Sequence, residues 1–245
     1  MMIDAQSMSY KDLNQKIREA AKENSLITLR NVKGQRYIGC GMTAPVTIVV
    51  EGVPGNDMAA FMNGPKIIVQ GNAQDGVGNT MNAGRVVIKG NAGDILGHSM
   101  RGGRIYVRGS VGYRTGIHIK SYKEQFPIIV IGGCVRDYLG EYMAGGLVIV
   151  LGKQNGSAHE MVGRYVGTGM HGGTLFIAGE VASHKLSPEV ALVSITNQER
   201  SLLFDVLDDY ARELEIRDLD PEKMIPLLTK LVPVTTRPYG NLYAY

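Results

Sequence analysis

Residues 71–89 read GNAQDGVGNTMNAGRVVIK, and residues 90–108 read GNAGDILGHSMRGGRIYVR. The two stretches align without a gap. A glycine opens each, a methionine stands at the same place, small residues follow it, and a short aliphatic run closes the unit. Working outward, Gly52, Gly71, Gly90 and Gly109 are spaced 19 residues apart, and Gly132, Gly152 and Gly179 continue the series at 23, 20 and 27. Met62, Met81, Met100, Met143 and Met170 hold one fixed position in the unit. A period of this size is the signature of a solenoid, because one unit cannot bury its apolar face alone and stacking does it. The expectation is an all-β-dominated solenoid of about seven rungs.

Counting back from each closing glycine gives columns that share a face, since alternate strand residues point the same way. Two places back stand Val50, Val69, Ile88, Val107, Val130, Val150 and Ile177; four places back stand Ile48, Ile67, Val86, Ile105, Ile128, Val148 and Leu175. These are expected to fill the interior. Three places back stand Val49, Ile68, Val87, Tyr106, Ile129, Ile149 and Phe176, an outward column that is also apolar. Strands apolar on both faces need cover on both. Either the terminal helices or a partner must therefore lie along a stripe about 30 Å long, at about 4.8 Å per strand. Lys66, Gln70, Arg85, Lys89, Arg104 and Arg108 edge the early strands and apolar residues edge the late ones, so the late rungs are expected to be the more deeply covered.

The repeat domain spans residues 45–183. Residues 1–44 carry a helix, Ser9–Asn24, and an opening strand, Leu26–Val32; residues 184–245 carry helices at Asn197–Ile216 and from Pro221 to about Leu231, then an aromatic tail, Arg237–Tyr245. The rung between Gly116 and Gly132 is irregular: His118 to Phe126 replaces the Met and glycine pair. Insertions in solenoid rungs become loops on one face, often the binding face. His118, Lys120, Tyr122 and Phe126, with the outward aromatics Tyr106 and Phe176, are therefore the candidate interface. Lys153–Arg164 reads as a second protruding loop.

Composition narrows the function classes. Net charge is +3 and the basic residues do not cluster in the sequence, which does not favour a nucleic-acid partner. Two cysteines, Cys40 and Cys134, give neither a disulfide framework nor a cluster site and suit a reducing cytoplasm. No run of 18 apolar residues suggests a membrane span. The G-x-G-x-x-G at Gly167–Gly172 precedes a strand rather than a helix, so it reads as a repeat corner, not a nucleotide loop. The Met column reads as core filling, not soft-metal ligation. His98, His118, His159, His171 and His184 have no metal-ligand spacing. Asp57, Asp75, Asp94 and Asp137 read as turn residues bonding their own backbone. No catalytic, cofactor or metal residue is assigned.

The runs Gly55-Asn56-Asp57, Gly71 to Gly78, Gly90 to Asp94, Gly112 to His118 and Gly140 to Gly146 resemble the glycine-rich C-terminal domain of the glutamate synthase large subunit, and most closely its stand-alone form. Gly34 to Gly39 resembles that domain's first strand. The resemblance implies a right-handed parallel β-helix with flanking helices. It also implies a non-catalytic structural role in a split glutamate synthase of the cytoplasm. The partners would be a glutaminase-type subunit and an FMN-binding synthase subunit, with FMN and the iron–sulfur cluster held by partners and none by this chain. Met2 stands where the glutaminase would have its nucleophilic cysteine, and Arg136 stands where a corner glycine is usual. Formylmethanofuran dehydrogenase has a scaffold polypeptide that shares the repeat, and this is the alternative; a free-standing homo-oligomeric binding module is the third.

Overall fold

The computed structural model describes residues 1–152 and 161–236. Nine strands run parallel in chain order: β1 (Met2–Asp4), β2 (Leu26–Lys33), β3 (Thr47–Val53), β4 (Asn63–Val69), β5 (Ala83–Ile88), β6 (Arg104–Val107), β7 (Ile128–Ile131), β8 (Ala144–Val150) and β9 (Gly172–Ala178). They form a parallel β-solenoid. Two antiparallel strands, β10 (Val190–Val193) and β11 (Leu228–Pro233), finish the sheet in the order β9-β11-β10. Helix α1 (Tyr10–Ala20) lies near the start, and α2 (Asn197–Glu213) and α3 (Pro221–Met224) near the end.

Register fixes the interior. Val50, Val69, Ile88, Val107, Ile131, Val150 and Ile177 pair in succession, as do Ile48, Ile67, Val86, Ile105, Ile129, Val148 and Leu175, and all fourteen belong to one buried cluster. At β7 this departs by one residue from the sequence expectation. Ile129 and Ile131 point inward, while Ile128 and Val130 point outward. A one-residue slip reverses every side chain. The closing glycine of that rung is Gly133, not Gly132: its N–H donates to Gly109 O at 2.9 Å and its carbonyl accepts from Gly152 at 3.2 Å. The insertion is thus one residue longer than the spacing to Gly132 suggested. Gly132 has a different task, for a Cβ there would overlap the Arg108 carbonyl and the Tyr210 hydroxyl.

The Met column is buried in the same interior. In the insertion rung Ile119 occupies that place, its N–H donating to Gly116 O as that of Met100 does to Gly97 O. At the N-terminal end α1 is capped by Ser9, whose Oγ accepts the Asp12 N–H. Its apolar side, Leu13, Ile17 and Ala20, joins the interior cluster. Asn14 and Arg18 donate to the carbonyls of Arg36 and Cys40 and tie the helix to the first rung.

The outward stripe is covered by α2. A capping box between Thr196 and Glu199 starts the helix. Leu203, Val206, Leu207, Tyr210 and Leu214 then pack on Val87, Tyr106, Val130, Ile149 and Phe176 as a second core. Leu202, which helical spacing from Val206 would put on the same side, is exposed. Cover is uneven: Val49 and Ile68 stay half-buried while the later stripe residues are fully buried. Tyr106 and Phe176 are therefore core residues, which removes both from the candidate interface.

The polar edge of α2 is bonded to the sheet's cationic edge. Asp209 accepts from Arg85 at 2.8 Å, from the Tyr106 hydroxyl at 2.7 Å and from Arg104; Glu213 pairs with Lys66 at 2.6 Å and with Arg85. Tyr210 donates to the Val107 carbonyl at 3.1 Å. Burial pushes Asp209 upward. The Tyr106 hydrogen bond and the Arg85, Arg104 and Arg212 guanidiniums outweigh it and hold the carboxyl below the usual carboxylate range.

The helix expected from Pro221 to Leu231 stops at Met224. Pro226 lacks an N–H and cannot extend the α-helical ladder, so the chain tightens into one 3-10 turn, Ile225–Leu227. The chain then alternates, Leu228 facing the α2 core and Leu231 the solenoid interior, and becomes β11. The tail Arg237–Tyr245 and most of the Lys153–Arg164 loop lie outside the described residues.

Candidate functional site

Each rung turns through one corner with a fixed backbone code. Residues at alternate positions take positive φ three times: Asp57, Ala59 and Phe61; Gly76, Gly78 and Thr80; Ile95, Gly97 and Ser99; Arg114, Gly116 and His118; Tyr138, Gly140 and Tyr142; Tyr165, Gly167 and Gly169. Tyr37, Gly39 and Gly41 begin the series. The middle position faces inward, where a Cβ on Gly97 would overlap Ile129 Cδ1 of the next rung. The outer two face the surface in most rungs, with Gly76 and Thr80 buried in theirs, and tolerate side chains at a strain of about 1–2 kcal/mol each. Gly97→Ala is expected to destabilise the chain by about 1–2 kcal/mol through φ alone, with the Ile129 overlap in addition. A lowered midpoint in urea unfolding is the readout. An unchanged midpoint would show that Ala59, buried at the equivalent place, is the general rule.

Rungs are bonded at this corner by aspartates and asparagines. Asp75 Oδ1 accepts the Asp94 N–H at 2.9 Å, Asp94 Oδ1 that of Tyr113 at 2.9 Å, and Asp137 Oδ1 that of Arg164 at 2.8 Å; Asn72 and Asn91 do the same three positions before Asp75 and Asp94. The acceptors thus serve the next rung's backbone rather than their own. This accounts for the ladder of acidic residues without a cation.

The late rungs carry planar side chains on these surface positions. The Arg114 guanidinium lies 4.6 Å from the Tyr138 ring centre, Tyr138 stacks on Tyr165 at 4.9 Å, and Arg136 lies over Tyr113 at 5.7 Å. A parallel stack runs beside them: His118 on Tyr142 at 5.3 Å, with His98 edge-on to His118 at 6.0 Å. Burial, then the neighbouring His118, hold His98 below the ordinary imidazole range, with Asp57 pulling the other way. Stacking offsets part of the strain of placing large residues at positive φ.

The insertion closes as a small hairpin, with Tyr122 and Gln125 exchanging backbone bonds at 3.1 and 3.0 Å. It is wedged between rungs: a Cβ on Gly102 would come 3.0 Å from Gln125 Cβ, and one on Gly145 would come 2.5 Å from Ser121 N. His118, Lys120, Tyr122 and Phe126 are all exposed here, so four of the six candidate interface residues share one surface. A separate cleft of ≈ 600 Å³ is lined by Tyr113, Cys134, Arg136 and Val162 among others. Cys134 is half-buried in its wall; Cys40 is half-buried at the first rung, its thiol pushed up by burial. His171 contacts the Gly169 carbonyl at 3.0 Å, His184 lies in the 3-10 turn Ser183–Lys185, and His159 falls outside the described residues.

Among the described residues no group of three or more His, Cys, Asp or Glu could hold a metal ion, and no helix is long and apolar enough to cross a membrane. The Gly167–Gly172 stretch is the last of the repeat corners and leads into β9. Two features escaped sequence reasoning: the positive-φ code at non-glycine positions, and the carboxylates of α2 that meet the cationic strand edge. The spacing of Asp209 and Glu213, one helical turn apart, was the available signal for the second. What the molecule presents is a stiff, stacked surface with an aromatic and basic corner.

The sequence matches the GXGXG motif family over residues 7–219. It is 43% identical over 250 residues to an uncharacterized protein of Methanocaldococcus jannaschii, an alignment covering 99% of this chain and 96% of the relative.

Proposed function

The chain belongs to the GXGXG motif family, which includes the C-terminal domain of the glutamate synthase large subunit, and on that premise we propose that it is the non-catalytic structural subunit of a split glutamate synthase. In this reading it holds a glutaminase-type subunit against an FMN- and iron–sulfur-bearing synthase subunit in the cytoplasm. Glutamate then forms across the pair from glutamine and 2-oxoglutarate, with two electrons supplied to the flavin-bearing subunit by an external donor. The observation that carries the reading is the extent of the family match, which spans nearly every rung and α2. The physical argument agrees with it. Each rung's corner and strand groups bond the next rung, so the solenoid is a stiff body suited to fixing the separation of two partners. Stiffness matters because ammonia released by one subunit must reach the other before it escapes to solvent, and a loose joint would leak it.

A tagged chain purified from its native cells is expected to bring down a glutaminase-type chain and a flavin-containing chain. Given an electron donor, the recovered complex should form glutamate beyond that from glutamine hydrolysis, in proportion to added 2-oxoglutarate, and reconstitution without this chain should lose most glutamine-dependent activity while retaining ammonia-dependent activity. Recovery with pterin–metal subunits would favour the formylmethanofuran dehydrogenase scaffold instead. Recovery of this chain alone would favour a free-standing module.

A further inference from the structure

The corner beneath the insertion gathers cations. The residue after each interior methionine, or after Ile119 in the insertion rung, forms one column, because its N–H donates to the methionine carbonyl of the preceding rung: Asn82 to Met62, Arg101 to Met81, Lys120 to Met100 and His171 to Met143, all between 2.8 and 3.0 Å. Arg101 and Lys120 therefore stand on adjacent rungs. The hairpin rises beside them with Lys123 and one exposed acid, Glu124, and His98 and His118 lie three and two residues before them on the same two rungs. Glu141 is occupied by Arg114. Arg101 Nε is buried and has no hydrogen-bond partner among the described residues. Lys120 makes no ion pair among the described residues. Two exposed aromatics, Tyr122 and Phe126, flank the cations on the hairpin.

We infer that this corner is a docking site for an acidic polypeptide segment of a partner protein, whose carboxylates accept from Arg101 and Lys120 while its apolar atoms rest on Tyr122 and Phe126. Charge complementarity selects the occupant. The cationic column is short, bounded by Asn82 on one side and Ala144 on the other, so it spans two rungs, about 5–10 Å. That length fits one or two carboxylates and is too short for a nucleic-acid backbone, which needs a track of phosphate contacts. Exposed aromatics beside an arginine form the composition that carries binding energy in protein interfaces. That the partner is a glutamate synthase subunit rests on the preceding proposal; the chemistry of the corner does not.

The test titrates the isotopically labelled full chain with an octaglutamate peptide, using a Gly-Ser octapeptide as control. In parallel it measures Kd for purified glutaminase-type and flavin-binding subunits. Amide shifts should be confined to residues 98–102, 118–126 and 142–145. Lys120→Glu, at an exposed position, should weaken peptide and subunit binding by about tenfold or more with an unchanged Tm, and should flatten the salt dependence. Phe126→Ala should weaken subunit binding without altering the salt slope. Shifts elsewhere, no shifts, Lys120→Glu binding within about twofold of wild type, or tighter binding of a duplex oligonucleotide than of the peptide would overturn the proposal. Binding of the peptide as described, with neither subunit binding, would sink the glutamate synthase reading while leaving the acidic-segment site standing.

Discussion

Replacing Val107 with Asp is expected to leave no folded protein at room temperature. Val107 is fully buried, and its neighbours on adjacent rungs are Ile88 and Ile131. An ionised carboxylate there would lose its hydration and gain no partner, because the facing columns are wholly aliphatic. Taking up a proton spares the charge but leaves a buried polar group and a lost valine. Such changes fall in the tail of about 4–5 kcal/mol or more, comparable with the whole stability of a domain. Gln70→Asp, at an exposed strand edge, is the control and should stay within about 0.5 kcal/mol. Circular dichroism and a thermal scan of both variants decide the matter: a cooperative melt for Val107→Asp near the wild-type Tm would mean that this column does not face the interior. Val130→Asp should also destabilise strongly, but through the core beneath α2.

The second large effect is at Asp209. Asp209→Ala removes the shared acceptor of Arg85, Arg104 and the Tyr106 hydroxyl beneath a helix; Arg85 keeps Glu213, while Arg104 and the Tyr106 hydroxyl keep only their contact with each other. Breaking a buried ion pair by deleting one member costs about 3–5 kcal/mol. Arg85 and Arg104 are partly solvated, so about 2–4 kcal/mol is the expected loss, seen as a Tm lower by roughly 5–15 °C. The pH dependence gives an independent readout. The folded-state pKa of Asp209 is depressed, and so is that of Glu213. Their contribution is therefore present in full above the unfolded carboxylate pKa of about 4 and is lost as pH falls through the lower folded values. Wild-type Tm should hold between about pH 7 and 5 and fall below about pH 4. The fall should be shallower in Asp209→Ala, which has less left to lose. An identical acid limb in both proteins would show that the pair adds nothing.

The fold was legible because the repeat encodes it twice, once in glycine spacing and once in aliphatic alternation. The β7 slip shows where that legibility ends. Gly132 and Gly133 are adjacent, either can close the rung, and Ile128 to Ile131 are four aliphatics in a row, so the pattern carries no phase. Pairing with the neighbouring rungs sets it. The segment after Ser187 was legible as α2 and not as β10 and β11. Leu228 to Val232 satisfies a helical stripe as well as a strand, and only the open edge of β9 selects the strand. Of the candidate interface, the insertion could be located because it breaks a period. Tyr106 and Phe176 were misassigned because apolar strand residues on an outer face look alike whether the cover is a partner or the chain's own helix. The orphaned Arg101 Nε had no sequence signature, since it depends on what the hairpin shields.

The lock between α2 and the sheet has a consequence for how the chain is made. Contacts within the solenoid join residues about one rung apart, so each rung can settle as soon as its successor leaves the ribosome. Helix α2 joins partners over a hundred positions upstream: Asp209 reaches Arg85 and Tyr106, and Tyr210 reaches Val107. Until that helix emerges, Val87, Tyr106, Val130, Ile149 and Phe176 form a bare apolar strip on a nascent chain whose rungs are already stacked. Translation therefore passes through a stage at which the product is well ordered and sticky at once. A chain truncated just before Thr196 should require a chaperone that the finished protein does not.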